Sequence, residues 1–217
     1  MFLGIYGAGA TAQELYEMIQ NINIQKWQAI VFIDDTKEEG TFLNCPRMSF
    51  ELFSKRYSNN EAEIIIAIGE PSVRKKLYTK IKMLGYSLPT IVHPDSYISP
   101  TAQLGEGCIV KMVSIISSNT VIGNNVYIQS NVIIGHDVVV NDNCQISSYS
   151  NISGHCTVGE NVFIGVNSCI KEEISIGNNV IIGMAAAVMK NIESDVTVLG
   201  NPARVIAKDK DHKVFSR

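Results

Sequence analysis

From Ile98 to Val188 the chain counts in sixes. An aliphatic residue (Ile, Val or Leu) stands at every sixth position, sixteen times in succession, without a slip or an insertion. An amphipathic helix repeats every 3.6 residues and an ordinary strand every two, so neither keeps a six-residue period over about ninety residues. Such a period describes a solenoid in which each hexad is one short strand and one corner. Three hexads close an 18-residue triangular coil, and residues eighteen apart then stack at roughly the 4.8 Å spacing of neighbouring strands. Sixteen hexads give about five coils of a parallel β-helix.

Four residues after each repeat position comes a small or β-branched residue such as Ala102, Cys108, Ser114, Thr120 or Val126, which fits an inward place near a corner. Cys108 and Cys144 fall there two coils apart, near ~10 Å, which is too long for a disulfide. The five cysteines are an odd number with no C-x-x-C pair, and read as reduced, buried thiols.

The three corners differ in chemistry. One carries Gly107, Asn125, Asn143, Asn161 and Asn179, residue types that tolerate positive φ. A second carries Gly165 and Gly183, where a bare backbone allows a ligand to lie close. The third stacks Ser117-Ser118-Asn119, Gly135-His136-Asp137, Ser153-Gly154-His155 and Lys171-Glu172-Glu173, so that His136 and His155 share a corner on adjacent coils. The outward residues Ile109, Tyr127, Phe163 and Ile181 line one face, and Ile115 and Ile133 the next. Apolar stripes of this extent mark interfaces, and a triangular prism suits a cyclic trimer.

Residues 1–90 have a different grammar, and the boundary is placed near Pro89 to Pro94. A strand at 2–6, the glycine turn GAGATA, a helix over 11–22, a strand at 29–33 ending in Asp34-Asp35, a strand at 64–68 closed by Gly69, and a helix over 74–84 predict an α/β unit with a small parallel sheet. The turn at Gly7, Gly9, Ala10 and Thr11, with an acid at Asp34 to bond a ribose hydroxyl, has the shape of a dinucleotide fingerprint. Three strands make only half of a dinucleotide fold, so a mononucleotide or a nucleotide-linked sugar fits better than NAD. A tight turn that binds nothing is the other reading.

The net charge is −3, from 18 basic and 21 acidic residues, with no basic stripe for a phosphate backbone, so nucleic acid is not an expected partner. No apolar run approaches a membrane span and the N-terminus has no positive n-region, which points to a soluble cytoplasmic protein.

Together the halves resemble the bacterial sialic acid O-acetyltransferase and nucleotide-aminosugar N-acetyltransferase family of hexapeptide-repeat acyltransferases. The carriers are GAGATAQEL, the IDD at 33–35, IVHPDSYISPTA at 91–102, GHD at 135–137 and LGNPARVI at 199–206. The resemblance implies a Rossmann-like N-terminal domain (1–90) and a left-handed β-helix with a C-terminal tail (91–217). Handedness rests on it alone, since parallel crossovers are otherwise right-handed. It also implies His136 as general base, Asp137 as the acid that orients it, and substrate contacts from Gly7, Gly9, Ala10, Thr11, Asp34, Asp35, Gly69 and His155. Acetyl-CoA is the implied donor, held between neighbouring subunits near Gly165, Gly183, Ala186, Lys190, Pro202 and Arg204. His93 and His212 are expected to be non-catalytic.

The implied activity is N-acetylation of a nucleotide-linked amino sugar, most naturally a 4-amino-4,6-dideoxyhexose of bacterial surface glycans. Sialic acid O-acetylation is the alternative. A zinc hydratase lacks a third histidine in the repeats, so no metal is expected, and a non-catalytic scaffold gives no reason for the His-Asp pair.

Overall fold

A computed structural model describes residues 1–22, 26–208 and 213–215. By internal contacts the chain divides into two units: 1–69 with 76–89, and 70–75 with 90–217.

The first unit is built on a five-stranded sheet. Its elements in chain order are β1 (Phe2–Tyr6), α1 (Ala10–Asn21), β2 (Ala29–Ile33), β3 (Gly40–Phe42), β4 (Cys45–Met48), α2 (Phe50–Arg56), β5 (Ala62–Ile66) and, from Lys76 on, α3 (Pro71–Met83), whose first turn belongs to the second unit. The strand order is β3-β4-β2-β1-β5. β1 runs parallel to both β2 and β5, with Tyr6 opposite Ile33 and Ile66, so the carboxyl ends of the three inner strands finish side by side. Leu3, Ile5, Phe32, Ile33, Ile64 and Ile65 are fully buried, as strands covered on both faces require.

Two strands and one helix here escape a reading by hydrophobic run. β3 and β4 are three and four residues long and pair antiparallel around Leu43 and Asn44, both at positive φ. α2 begins at Ser49, whose hydroxyl accepts the Leu52 N–H as an N-cap. The strand expected at 64–68 lies at 62–66, because Ala67 and Gly69 belong to the loop that follows.

The second unit is the solenoid. From Tyr97–Ile98 to Ala187–Val188 each hexad forms a two-residue strand whose second member is the repeat residue. Parallel pairing joins residues eighteen apart throughout, as in Ile115 with Ile133 and Val121 with Val139. The first face runs from Ile91–Val92 through Tyr127–Ile128 to Ile181–Ile182, the second from Tyr97–Ile98 to Ala187–Val188, and the third from Gln103–Leu104 to Ser175–Ile176. Ile91–Val92 starts the coil one hexad before Ile98. At the other end Ile182 pairs with Val198, so the last coil is two residues short of eighteen, and Val196–Leu199 then turns antiparallel onto Arg204–Lys208.

The repeat aliphatics fill the prism together with Cys108, Cys144 and Cys156. Burial pushes the Cys144 thiol up to about 12 and the Cys108 thiol up to about 11, so both stay neutral. The expectation that all five thiols are buried does not hold: Cys169 is exposed, at an outward strand position, and Cys45 is partly exposed.

Each corner turns on one residue in the left-handed region, and these recur every six residues from Gly107 to Ala185. The asparagine corner adds a side-chain ladder, with Asn125 donating to Asn143 at 2.8 Å and Asn161 to Asn179 at 2.9 Å.

One expected interface stripe is buried over most of its length. Ile109, Tyr127 and Ile181 are 1%, 2% and 8% exposed. Arg74 lies over the Tyr127 ring at 5.7 Å and donates to both the backbone and side-chain oxygens of Asn125. Phe215 meets Phe163 edge-on at 5.6 Å, held there by the Glu70 carboxylate, which accepts the N–H groups of Val214 and Phe215. Periodicity counts outward positions and is blind to a short segment that returns to cover them. Tyr97, Ile115 and Ile133 on the second face and Val121 and Val139 on the third remain exposed.

Candidate active site

The second and third faces meet at the histidine corner. Asn119, Asp137, His155 and Glu173 stack there at φ between 55° and 61°, the turning position of four successive coils. His155 therefore stands above Asp137, not above His136. The residue above His136 is Gly154, and a Cβ built on it would lie 2.9 Å from both Cε1 and Nε2 of the imidazole. The absent side chain is what lets the His136 ring lie close against the coil above. His155 donates its N–H to the His136 carbonyl at 3.0 Å, and the two rings meet edge to face with centroids 4.9 Å apart.

His136 Nδ1 is 2.7 Å from Asp137 Oδ2. Asn119 Nδ2 donates to the other oxygen, Asp137 Oδ1, at 3.1 Å. The bond from His136, the bond from Asn119 and the nearby His155 hold the Asp137 carboxyl below its usual range, so it is ionised and can only accept. The proton of a neutral His136 then sits on Nδ1, and the Nε2 lone pair is free. The His136 side chain is 59% exposed.

A metal centre was not expected from two histidines, but the carboxylate supplies a third donor: one donor atom from each of His136, Asp137 and His155 falls within 4.8 Å of the others.

At the glycine corner Gly165 and Gly183 stack. A Cβ on Gly165 would meet the backbone of Ile182 and Met184 at 2.7 Å, and one on Gly183 would meet Leu199 at 2.4 Å. Gly165 is thus needed by the packing of the next coil, whereas only the movable end of the Leu199 side chain stands against one on Gly183. Ala186 is 1% exposed and points into the core, and its N–H donates to the Gly183 carbonyl while its carbonyl accepts the Cys169 N–H, so it supports the corner from within. The segment 200–203 returns to this place, since Ala187 N–H bonds the Gly200 carbonyl and Ala203 N–H bonds the Ala187 carbonyl. Pro202 and Arg204 arrive with it, both exposed. Lys190 is exposed as well but follows Val188 round the histidine corner, so it and Gly183 stand at opposite edges of the second face.

In the first unit the glycine turn is open. Gly7 has φ 122° and a Cβ there would lie 2.8 Å from the Ala67 carbonyl oxygen, whereas nothing lies within 4 Å of one on Gly9, beside exposed Ala10 and half-buried Thr11 at the start of α1. Gly69 closes the loop after β5. The two acids have parted roles. Asp34 Oδ1 accepts from the N–H and hydroxyl of Thr36 at 2.9 and 2.6 Å, leaving Oδ2 with Lys37 at 3.9 Å. Asp35 is engaged by Tyr6, Lys80 and the Phe50 N–H at 2.5, 3.2 and 2.7 Å. Partial burial works against its charge, but these three donors win and hold the carboxyl below its usual range. Sequence reasoning missed Lys37, whose ammonium donates to the Ala8 carbonyl and so sets a cation on the rim of the turn. The signal was its place three residues after Asp34.

His93 accepts the Asp95 N–H at Nδ1, a turn contact, and His212 lies outside the described residues. Among the described residues no helix is long and apolar enough to cross a membrane.

Residues 3–81 match the family model of the PglD N-terminal domain, and residues 119–154 that of the bacterial transferase hexapeptide, six repeats. Among solved structures, the acetyltransferase domain of PglB from Neisseria gonorrhoeae FA1090, in complex with acetyl coenzyme A, is 27% identical over 94% of this chain and 98% of its own, with a TM-score of 0.88. WeeI from Acinetobacter baumannii AYE is 26% identical over 95% and 100%, with a TM-score of 0.88. PerB from Caulobacter crescentus, in complex with CoA and GDP-perosamine, is 25% identical over 95% and 98%, with a TM-score of 0.86.

Proposed function

We propose, for a chain that belongs to the hexapeptide-repeat nucleotide-sugar N-acetyltransferases and carries their left-handed β-helix, that His136 is the general base of acetyl transfer from acetyl-CoA to a nucleotide-linked amino sugar. The observation that carries this reading is the bond between His136 Nδ1 and ionised Asp137, which leaves Nε2 as the acceptor on an exposed ring. The sugar amine attacks the thioester carbonyl while Nε2 takes its proton. The new C–N bond forms, the C–S bond breaks, and the imidazolium returns the proton to the departing thiolate. Asp137 keeps the ring in the productive tautomer and steadies its positive charge.

Acetyl-CoA is the donor, as the complexes of the relatives support, and the reaction needs no metal. It lies along the second face, from the glycine corner with Gly165, Gly183 and Pro202, where Arg204 stands near its phosphates and buried Ala186 supports the corner from within, to the histidine corner; Lys190 stands at that opposite edge, away from the phosphates. The acceptor is an amino sugar on a nucleoside diphosphate, of the 4-amino-4,6-dideoxyhexose class that GDP-perosamine represents, destined for surface glycans. Its diphosphate rests on the α1 N-terminus at Gly9, Ala10 and Thr11 beside Lys37, and its ribose on Asp34 Oδ2. A cytoplasmic setting follows from the two substrates. The exposed Ile115, Ile133, Val121 and Val139 around the histidine corner fit the interface of a homotrimer.

CoA release across a panel of acceptors tests the reading. Turnover on nucleotide-linked 4-amino sugars, and little on free sialic acid, is expected; the reverse pattern decides for O-acetylation. Sedimentation of an active species as a monomer would remove the trimer.

A further inference from the structure

General-base catalysis uses His136 and Asp137 and leaves His155 without a task. His155 is an exposed side chain at the left-handed φ of 57°, edge-on to the His136 ring, and one donor atom from each of the three residues falls within 4.8 Å of the others. We propose that His136, Asp137 and His155 form a binding site for a first-row transition-metal dication, Zn²⁺ above all, and that its occupancy blocks acetyl transfer.

Two imidazoles and a carboxylate suit zinc; magnesium and calcium prefer oxygen alone. Donors around a tetrahedral zinc lie about 3.4 Å from each other, so modest side-chain rotations close the present spacing. The backbone under the triad is fixed, since both turning residues stand in a continuous left-handed ladder and the His155 N–H is bonded to the His136 carbonyl. Asn119 holds Asp137 Oδ1, which leaves Oδ2 toward the imidazoles and supplies the outer support that metal ligands require. Gly154, without a side chain, leaves the Nε2 edge of the His136 ring unobstructed from the coil above. Three protein ligands and a water complete the ion, and all three side chains are open to solvent, so it can enter and leave.

Binding stands on this geometry alone, whereas inhibition rests on the reading of His136 as the base: a metal that takes its lone pair, or breaks its bond with Asp137, removes the proton acceptor.

Metal-stripped protein titrated with Zn²⁺ by calorimetry, with Co²⁺ as a spectroscopic substitute, tests the site. One Zn²⁺ per chain is expected for the wild type, with at least tenfold weaker binding in His155→Asn, which tolerates the left-handed backbone, and in His136→Asn. The Co²⁺ spectrum should lack a thiolate charge-transfer band. Acetyl transfer by the wild type should fall as Zn²⁺ saturates and recover on chelation. No stoichiometric binding, equal affinity in both histidine variants, or a thiolate band that disappears in Cys169→Ser would overturn the site. Saturated binding with undiminished turnover would overturn the inhibition. A metal-free enzyme that acetylates no acceptor while these binding results hold would instead count against His136 as base and leave the metal site supported.

Discussion

Gly154 lies one coil above His136, and a Cβ there would sit 2.9 Å from both Cε1 and Nε2 of the imidazole. Real Cβ atoms do not approach ring atoms so closely, so Gly154→Ala must push the ring aside. Gly154 is not among the positive-φ residues, so the backbone itself tolerates alanine. The expected result is a folded protein with an unchanged melting profile and turnover lowered by about 10–100-fold, as for a reacting group displaced by a fraction of an ångström to an ångström. Wild-type turnover in this variant would show that the ring position does not matter to the reaction.

Asp137 acts through the ring it bonds. Asp137→Asn exchanges an obligatory acceptor for a side chain that can also present a donor to Nδ1, and the fixed tautomer is lost. Because the pair is exposed and well screened, the loss in turnover should be on the order of tenfold, smaller than the loss from removing His136 itself. Asn119→Ala should act in the same direction and more weakly, by freeing Asp137 Oδ1. Steady-state kinetics of the two variants against the wild type checks the ordering.

How far the sequence announced this arrangement depends on what each feature is made of. The solenoid was legible because its aliphatic positions repeat without error, and stacking distance follows from counting alone. The histidine corner was legible as an address; its geometry was not. Counting by eighteen puts His155 over Asp137 and Gly154 over His136, yet only the structure shows that the two imidazoles meet edge to face and that the His136 ring lies where a side chain on Gly154 would sit. The hairpin of β3 and β4 was missed because its strands are too short to show alternation. The coverage of Tyr127 by Arg74 was missed because a fully buried arginine carries no local sequence signal. In the same way Asp34 and Asp35 look alike in the chain and differ only through the neighbours each one finds.

That difference predicts two distinct phenotypes. Asp34→Ala should weaken acceptor binding and leave acetyl-CoA binding nearly unchanged, since its Oδ2 lies 3.9 Å from Lys37, whose ammonium donates to the Ala8 carbonyl of the glycine turn. Asp35→Ala removes the partner of Tyr6, Lys80 and the Phe50 N–H, and should lower stability by about 1 kcal/mol after allowance for the exposure of the carboxylate. Binding isotherms and urea midpoints measured on both variants separate the roles; matching effects on both observables would merge them.

The thiols offer a check on the prism that is independent of catalysis. Cys108 and Cys144 are buried and held neutral, with thiols pushed up to about 11 and about 12, and Cys156 is buried with its thiol also raised. Iodoacetamide at pH 8 should label Cys169 fast, Cys45 more slowly, and the other three only after unfolding. Peptide mapping of the native protein reads this directly, and rapid native labelling of Cys144 would contradict the inward register of the coils.

The most direct measurement of the central claim is CoA release with a GDP-linked 4-amino sugar, run side by side on the wild type and His136→Asn, with equal sedimentation and melting of the two as the control for folding. Turnover by the wild type and a fall of about 10²–10⁴-fold in the variant is the predicted result. Equal turnover by both proteins would contradict it, and the proton of the attacking amine would have to leave by another route.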